Sequence, residues 1–350
     1  MSDATVRGGS VRERLEQLEE ETLAPYAQLS RNSAGRERPE EESPVRTAYQ
    51  RDRDRIIHCN AFRRLRGKTQ VFIAPAGDHY ATRLSHVLEV AQIGRVIARA
   101  LRLNEDLVEA IALAHDLGHA PFGHAGQESL DQLLGEGYRH DEQSLRVVQV
   151  LEKGGQGLNL TREVLDGIRT HRKPRHDLSG TTVGPSSTLE AEVVKLSDAI
   201  AYINTDVDDA VRAGIIRPDD LPSGPIRRLG DRRSLRINTV VCDIVAASAG
   251  RPTVAMMPNV LAALNELRDF LFHEVYTNPA VKREAERARH VVAQLFHYFR
   301  ERPEALPDTY QDDPRGEGIE RRVADYIAGM SDFYAIQRFE ELFVPRMWPA

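Results

Sequence analysis

Residues Ile111 to Glu128 read IALAHDLGHAPFGHAGQE, and no other stretch restricts the chain so tightly. The run opens as an apolar helix, sets His115 beside Asp116, and adds His119 and His124 across breaks at Gly118, Pro121 and Gly123. Ionisable groups leaving an Ile, Ala and Leu helix together must be satisfied inside a core, because burying them unpaired is costly. A divalent cation can satisfy several at once, and a core His-Asp ion pair is the plainer alternative. His-Asp recurs at His140-Asp141 and at His176-Asp177, so the dipeptide decides nothing by itself. Apolar helical flanks, the nearby His119, and His86 on an amphipathic segment upstream set the first occurrence apart.

Composition narrows the classes. At 350 residues, 41% hydrophobic and 29% charged, the chain is long enough for one large core or two smaller ones. It has no apolar run of the roughly 20 residues needed to span a bilayer, so no membrane partner is expected. Its first residues lack the apolar stretch of a signal peptide. Cys59 and Cys242 are too few and too isolated for a disulfide framework or a thiolate metal site, which predicts a reducing, cytoplasmic setting. A net charge of -6 argues against nucleic-acid binding by the whole surface. A local exception runs from Arg46 to Gln70, with eight basic residues against Asp52 and Asp54. Alternating signs from Arg51 to Arg55 suggest an ion-paired helix face; the remainder, through Lys68, reads as a surface that meets phosphates.

Periodicity predicts an all-α chain. Helices are expected at Val11 to Leu23, from Tyr49 to a break at Gly67, Thr82 to Leu103, Glu105 to Leu117, Gln127 to Leu134, Gln143 to Leu151 and Thr161 to Thr170. Asn32 to Pro44 and His171 to Ser187 read as loops, and Val71-Phe72-Ile73 as a short strand or an irregular connection. Ser187 and Glu190 fit a capping box for a helix from Leu189 to Ala213 that Gly214 stops, with Asp198 inside its buried stripe. Further helices follow to the end of the chain. The expected organisation is residues 1–48 as an N-terminal helix and exposed loop, 49–214 as the core that carries the chemistry, and 215–350 as a C-terminal helical portion packed on it.

His86, His115, Asp116 and Asp198 supply two imidazoles and two carboxylates from three helices, a set suited to an octahedral divalent ion with open positions. Structural zinc more often uses thiolates, absent here. Arg83, three residues before His86, shares its helix face and could hold a phosphate; taken alone it would be an ordinary surface arginine.

At these residues the chain resembles a known family. QRDRDRIIHCNAFRRLRGKTQVF, TRLSHVLEVAQIGR, AHDLGHAPFGHAG, HDEQSLRVV, EAEVVKLSDAIAYINTDVDDAVRAG and VADYIAGMSDFYAI look like successive blocks of the HD-superfamily deoxynucleoside triphosphate triphosphohydrolases, the dGTPase-like proteins. The similarity runs in order from about residue 12 to 345. It implies an all-α HD phosphohydrolase fold with additional C-terminal helices, and a divalent ion (Mn, Mg, Co, Fe or Ni) on His86, His115, Asp116 and Asp198. It further implies hydrolysis of a dNTP to deoxynucleoside and inorganic triphosphate by a homo-oligomer, with allosteric nucleotides in many members.

The resemblance also assigns roles. It implies that His119 and His124 lie near the α-phosphate and the 5′ leaving oxygen, and that His140 is a further catalytic histidine. Arg83 would meet phosphate, Tyr202 and Asp206 the sugar, and Gln70 the sugar and base. Tyr202 as plain core and His140 as a surface residue are the competing readings. Two positions depart from the family pattern: Gln127 stands where Glu is usual, and Asp141 where Asn is common. On this reading Gln127 hydrogen-bonds His124 without adding charge, the enzyme is slow, and Gln127→Glu raises kcat by roughly tenfold or more. Rival functions are another HD phosphohydrolase, acting on nucleoside monophosphates or cyclic nucleotides, and a nucleotide-sensing or nucleic-acid-binding protein with a weakened site.

Overall fold

The structure, a computed structural model, describes residues 9–73, 79–172, 178 and 186–346. Among these residues there is no β-strand, only the isolated bridges Arg36–Thr161 and Thr69–Thr82, so the fold is all-α as the periodicity predicts. His176-Asp177, Pro75, Gly77 and most of the His171 to Ser187 loop lie outside the described residues.

Three helices make the frame. Arg83–Leu101 starts where Thr82 caps the Ser85 amide and buries Val87, Val90, Ile93 and Ile97 at helical spacing. Glu105–Ala114, capped by Asn104 with Glu105 and Asp106 in its first turn, and Leu189–Arg212 both pack against it. Val108, Ile111, Val193, Val194, Ile200 and Ile203 complete this first core, which extends along the chain as far as Val275.

A second apolar core stands beside it. It joins residues from Ala120 to Tyr138 with helices Pro279–Glu301, Gly318–Ala328 and Asp332–Phe343, around Leu130, Leu295, Phe296, Phe299 and Ile327. Polar struts link the two. Asp332 accepts from Phe122 N (2.8 Å), Thr69 N (3.0 Å) and Thr69 Oγ1 (2.7 Å). Asp325 accepts from Gln143 Nε2 and Arg146 Nε, each at 2.9 Å.

Several boundaries differ from the sequence reading for local reasons. The Glu105 helix ends at Ala114, not Leu117, because the chain turns at the histidine. The next helix is His124–Leu133, starting three residues early behind Gly123, whose φ of +59° lies in a region open to glycine. Helix His140–Arg146 likewise begins before Gln143 and continues as a π-helical turn, Val147–Leu151. Thr188, not Ser187, caps Leu189–Arg212, through the Ala191 amide. Val71 to Ile73 forms bends, the irregular option.

The basic stretch also needs correcting. Arg46 pairs with Asp54, Arg53 with Asp106 and Glu109, and Arg55 with Glu40, so the alternating charges lace the surface as the ion-paired reading has it. Lys68 is no phosphate-facing surface residue: it is 2% exposed, and its Nζ donates to the carbonyls of His119 and Ala328. Burial, helped by Arg64, lowers its pKa to about 7. A neutral amine still has two N–H groups, one for each carbonyl.

Candidate active site

The site forms where the chain crosses from the first core to the second. His115 caps the Glu105 helix, and its Nδ1 lies 2.7 Å from Ala112 O. A carbonyl can only accept, so Nδ1 carries the proton and Nε2 presents a lone pair. That Nε2 is buried and has no hydrogen-bond partner. His86 Nε2 lies 3.1 Å from Asp198 Oδ1 and 3.9 Å from Asp116 Oδ2. His115 Nε2 lies 3.5 Å from Asp116 Oδ1 and 3.9 Å from Asp198 Oδ1. The structure therefore brings all four expected metal ligands together, and an orphaned imidazole nitrogen facing two carboxylates fits a divalent cation.

The turn that follows is held by close packing. A Cβ on Gly118 would sit 2.1 Å from Ser144 N and 2.5 Å from His140 O, so only glycine lets helix His140–Arg146 approach. Ser144 Oγ accepts from Gly118 N and donates to His115 O, while Tyr138 Oη donates to Gly118 O. Gly123 makes room for Arg83: its missing Cβ would lie 3.1 Å from Nη2. Arg83 is buried, with Nη1 2.7 Å from Asp116 Oδ2. Burial works against ionisation of Asp116, but His119, His115 and Arg83 overcome it and hold the carboxyl well below the usual range.

His119 Nε2 lies 3.2 Å from Asp116 Oδ1, and its ring stacks on that of His140 with centroids 4.0 Å apart. Burial and then Arg83 bring its pKa to about 3. His124 opens helix His124–Leu133 and is accessible to solvent, yet the surrounding protein and Arg83 lower its pKa too. Burial lowers His115 to about 4. The histidines expected at the reacting end thus share one carboxylate and one arginine.

The expected sugar-binding residues extend away from the metal ligands. Asp198, Tyr202 and Asp206 recur every four residues on Leu189–Arg212, a row about 12 Å long. Asp206 accepts a hydrogen bond from Tyr276 Oη on Oδ2, while its buried Oδ1 has no partner; burial raises its pKa to about 7. Gln70 Oε1 is also buried and unpartnered, and the Gln70 backbone carbonyl borders Gly123.

Gln127 does not meet His124. Its Oε1 accepts from both His140 N (3.1 Å) and His140 Nδ1 (2.8 Å). Asp141 is buried and held by Arg139, which lowers its carboxyl against the cost of burial. The sequence reading missed His171, which closes helix Arg162–Thr170 as His115 closes its own, with Nδ1 2.7 Å from Ile168 O. A histidine directly after an apolar helical stripe is the signal the two positions share. Tyr276 was missed as well, and nothing local to it points to Asp206.

A helical frame with a His-Asp cluster at its centre is that of an HD-domain phosphohydrolase, and the HD-domain pattern matches residues 83–203. A phosphohydrolase-associated domain matches residues 254–341. Similar along nearly its whole length is a deoxyguanosinetriphosphate triphosphohydrolase-like protein of Caldanaerobacter subterraneus subsp. tengcongensis, 55% identical over 97% of each chain. Like-named proteins of Desulfatibacillum aliphaticivorans and Clostridium perfringens are 44% and 45% identical, covering 96% of this chain and 99% and 98% of theirs. The chain belongs to this deoxyguanosinetriphosphate triphosphohydrolase-like family of HD hydrolases.

Proposed function

We propose that the chain hydrolyses deoxynucleoside triphosphates to deoxynucleoside and inorganic triphosphate, with His86, His115, Asp116 and Asp198 holding the required divalent ion. The observation that carries this reading is the convergence of Arg83, His86, His115 and His119 on one carboxylate, Asp116, with Asp198 against His86 and His124 beside His119 at the next helix N-terminus. Bound there, the ion supplies Lewis acidity and an acidified water near phosphorus. Arg83, buried with only part of its guanidinium engaged, neutralises charge on the phosphate oxygens. The first amides of His124–Leu133, uncapped by any side chain from Gly123, favour the same anion.

His124 is the proton carrier best placed for the departing 5′ oxygen. In the free protein its surroundings and Arg83 lower its pKa; an arriving polyphosphate offsets Arg83 and favours the imidazolium that can donate. Asp206 and Gln70 offer buried acceptors to the sugar hydroxyl and base, and Tyr202, one turn from Asp206 on the same helix, would face the deoxyribose where a 2′-hydroxyl would crowd. The reading extends to a homo-oligomer acting in the cytoplasm.

Incubation with each of the four dNTPs in ¹⁸O water, with Mn²⁺ or Mg²⁺, followed by chromatography and mass spectrometry, tests this. Triphosphate carrying the label and an unlabelled deoxynucleoside are expected. Release of orthophosphate or pyrophosphate, or label in the nucleoside, would overturn it.

A further inference from the structure

We propose that Asp332 is a positioning residue that holds Gln70 and His124 in register, so that a nucleotide seated on the first presents its 5′ oxygen to the second. The inference rests on the reading above for what Gln70 and His124 do, and adds the device that sets one against the other.

Asp332 is the first residue of helix Asp332–Phe343 and is buried, and its two oxygens are committed to two different segments. Oδ1 accepts from the backbone amide of Phe122, two residues before His124. Oδ2 accepts from the amide and the hydroxyl of Thr69, the residue before Gln70. A backbone amide can only donate, so both oxygens must accept, and one carboxyl group spans the gap between the segments. An isosteric amide cannot do the same. Turned either way, Asn at this position would aim its NH2 group at one of the two backbone N–H groups.

The surrounding seam is built for this approach. A Cβ on Gly67 would lie 2.9 Å from Ser331 Cβ, so glycine lets the Thr69 segment reach the start of the helix. The carbonyls of Gln70 and Thr69 border the turn, 3.3 and 3.8 Å from where a Cβ on Gly123 would be. Phe122 and Gly123 have φ of +63° and +59°, and helix His124–Leu133 starts directly behind them. Phenylalanine keeps such a backbone only under outside constraint, and the bond from its amide to Asp332 is one. Gln70 Oε1 meanwhile stays buried and unpartnered, so the clamp fixes the backbone beside Gln70 and leaves its acceptor for a ligand. A clamp serving stability alone could fall anywhere along the seam. This one falls on the neighbours of Gln70 and His124.

A double-mutant cycle in the full chain, with Mn²⁺ and whichever of the four dNTPs is turned over fastest, tests the register. Asp332→Asn is expected to lower kcat about a hundredfold, as a misplacement of about 1 Å does, while Mn²⁺ bound per folded chain stays at the wild-type value. Gln70→Ala alone is expected to cost about tenfold or more. The double variant should fall no more than about threefold below Asp332→Asn, because without the Gln70 contact there is no register left to lose. Should Asp332→Asn fail to fold by circular dichroism, Thr69→Val, which removes only the hydroxyl bond, takes its place with a loss of about tenfold and the same non-additivity. Losses that multiply in the double variant, loss of Mn²⁺ along with rate, or a single variant as fast as the wild type at Asp332 or Thr69 would overturn the register and leave the reading above standing. A Gln70→Ala protein as fast as the wild type, or a wild type without turnover, would overturn that reading and the register with it.

Discussion

The first core supplies His86, His115, Asp116 and Asp198 from helices, or the ends of helices, packed into one apolar mass. The second carries His119 and His124 on a turn whose apolar neighbours, Ala120, Phe122 and Ala125, face helices near the other end of the chain. The half that carries the proposed metal ligands is thus built from packing around three helices. The half that carries the proposed proton-transfer histidines depends on contacts made across some two hundred residues, such as that of Phe122 with Asp332. Phe122 itself has φ of +63°, a conformation that must be enforced from outside the turn. On the proposed assignment, the difference teaches that metal affinity and turnover have separate structural supports, and that damage to one should leave the other standing.

The sharpest separation comes from the first core. His115→Ala removes a ligand whose nitrogen has no other partner, so metal content should fall to background and kcat by about a thousandfold or more, several kcal/mol of transition-state stabilisation. Elemental analysis beside steady-state rates decides; a variant with full metal content would sink the ligand assignment. Next in size is Phe296→Ala in the second core, a fully buried ring whose loss should cost about 3–5 kcal/mol in denaturant unfolding. Metal bound per folded chain should stay at the wild-type value while kcat drops. Parallel loss of metal would break the comparison.

Lys68→Met probes the seam itself. It leaves the carbonyls of His119 and Ala328 unpaired, a loss of about 1–3 kcal/mol. The wild-type amine has a folded pKa near 7 against 10.5 when unfolded. The unfolded chain therefore binds more protons between those values, and stability rises with pH across that window. The variant should lose this rise, so urea midpoints measured from pH 7 to 10 should converge for the two proteins at low pH and diverge at high pH. Identical slopes would mean that Lys68 stays charged.

Gln127→Glu should have the smallest effect. Because the side chain holds His140 and not His124, the acid would act one ring away from the leaving group. A change in kcat within about threefold is expected, short of full general acid-base assistance. A rise of tenfold or more over pH 6 to 9 would show that the added charge reaches His124 after all.

Legibility followed the same division. The amphipathic stripes of Arg83–Leu101 and Leu189–Arg212 repeat every turn, so their helices, and His86 and Asp198 upon them, could be read from spacing. Asp116 and His115 were legible because charge in an apolar run demands a partner. What could not be read depends on tertiary approach. Gln127 is three residues from His124 and thirteen from His140, and helical spacing favours the wrong one; Tyr138 and Ser144 decide it by drawing the His140 helix onto Gly118. His171 stood at the head of a polar stretch and looked like the start of a loop. Lys68 looked exposed because its neighbours Arg63 and Arg66 are.

The three hydrogen bonds on Asp332 also set an order of manufacture. A ribosome makes the chain from the N-terminus, and Asp332 emerges 134 residues after Asp198, the last of the four proposed metal ligands. At ordinary elongation rates that gap lasts on the order of ten seconds. During it, a nascent chain can gather those ligands while the turn bearing His119 and His124 still lacks the clamp at Phe122. On the proposed assignment, a newborn chain can therefore acquire its ion before it can hydrolyse a substrate, and the step that arms it is the docking of the helix that Asp332 begins.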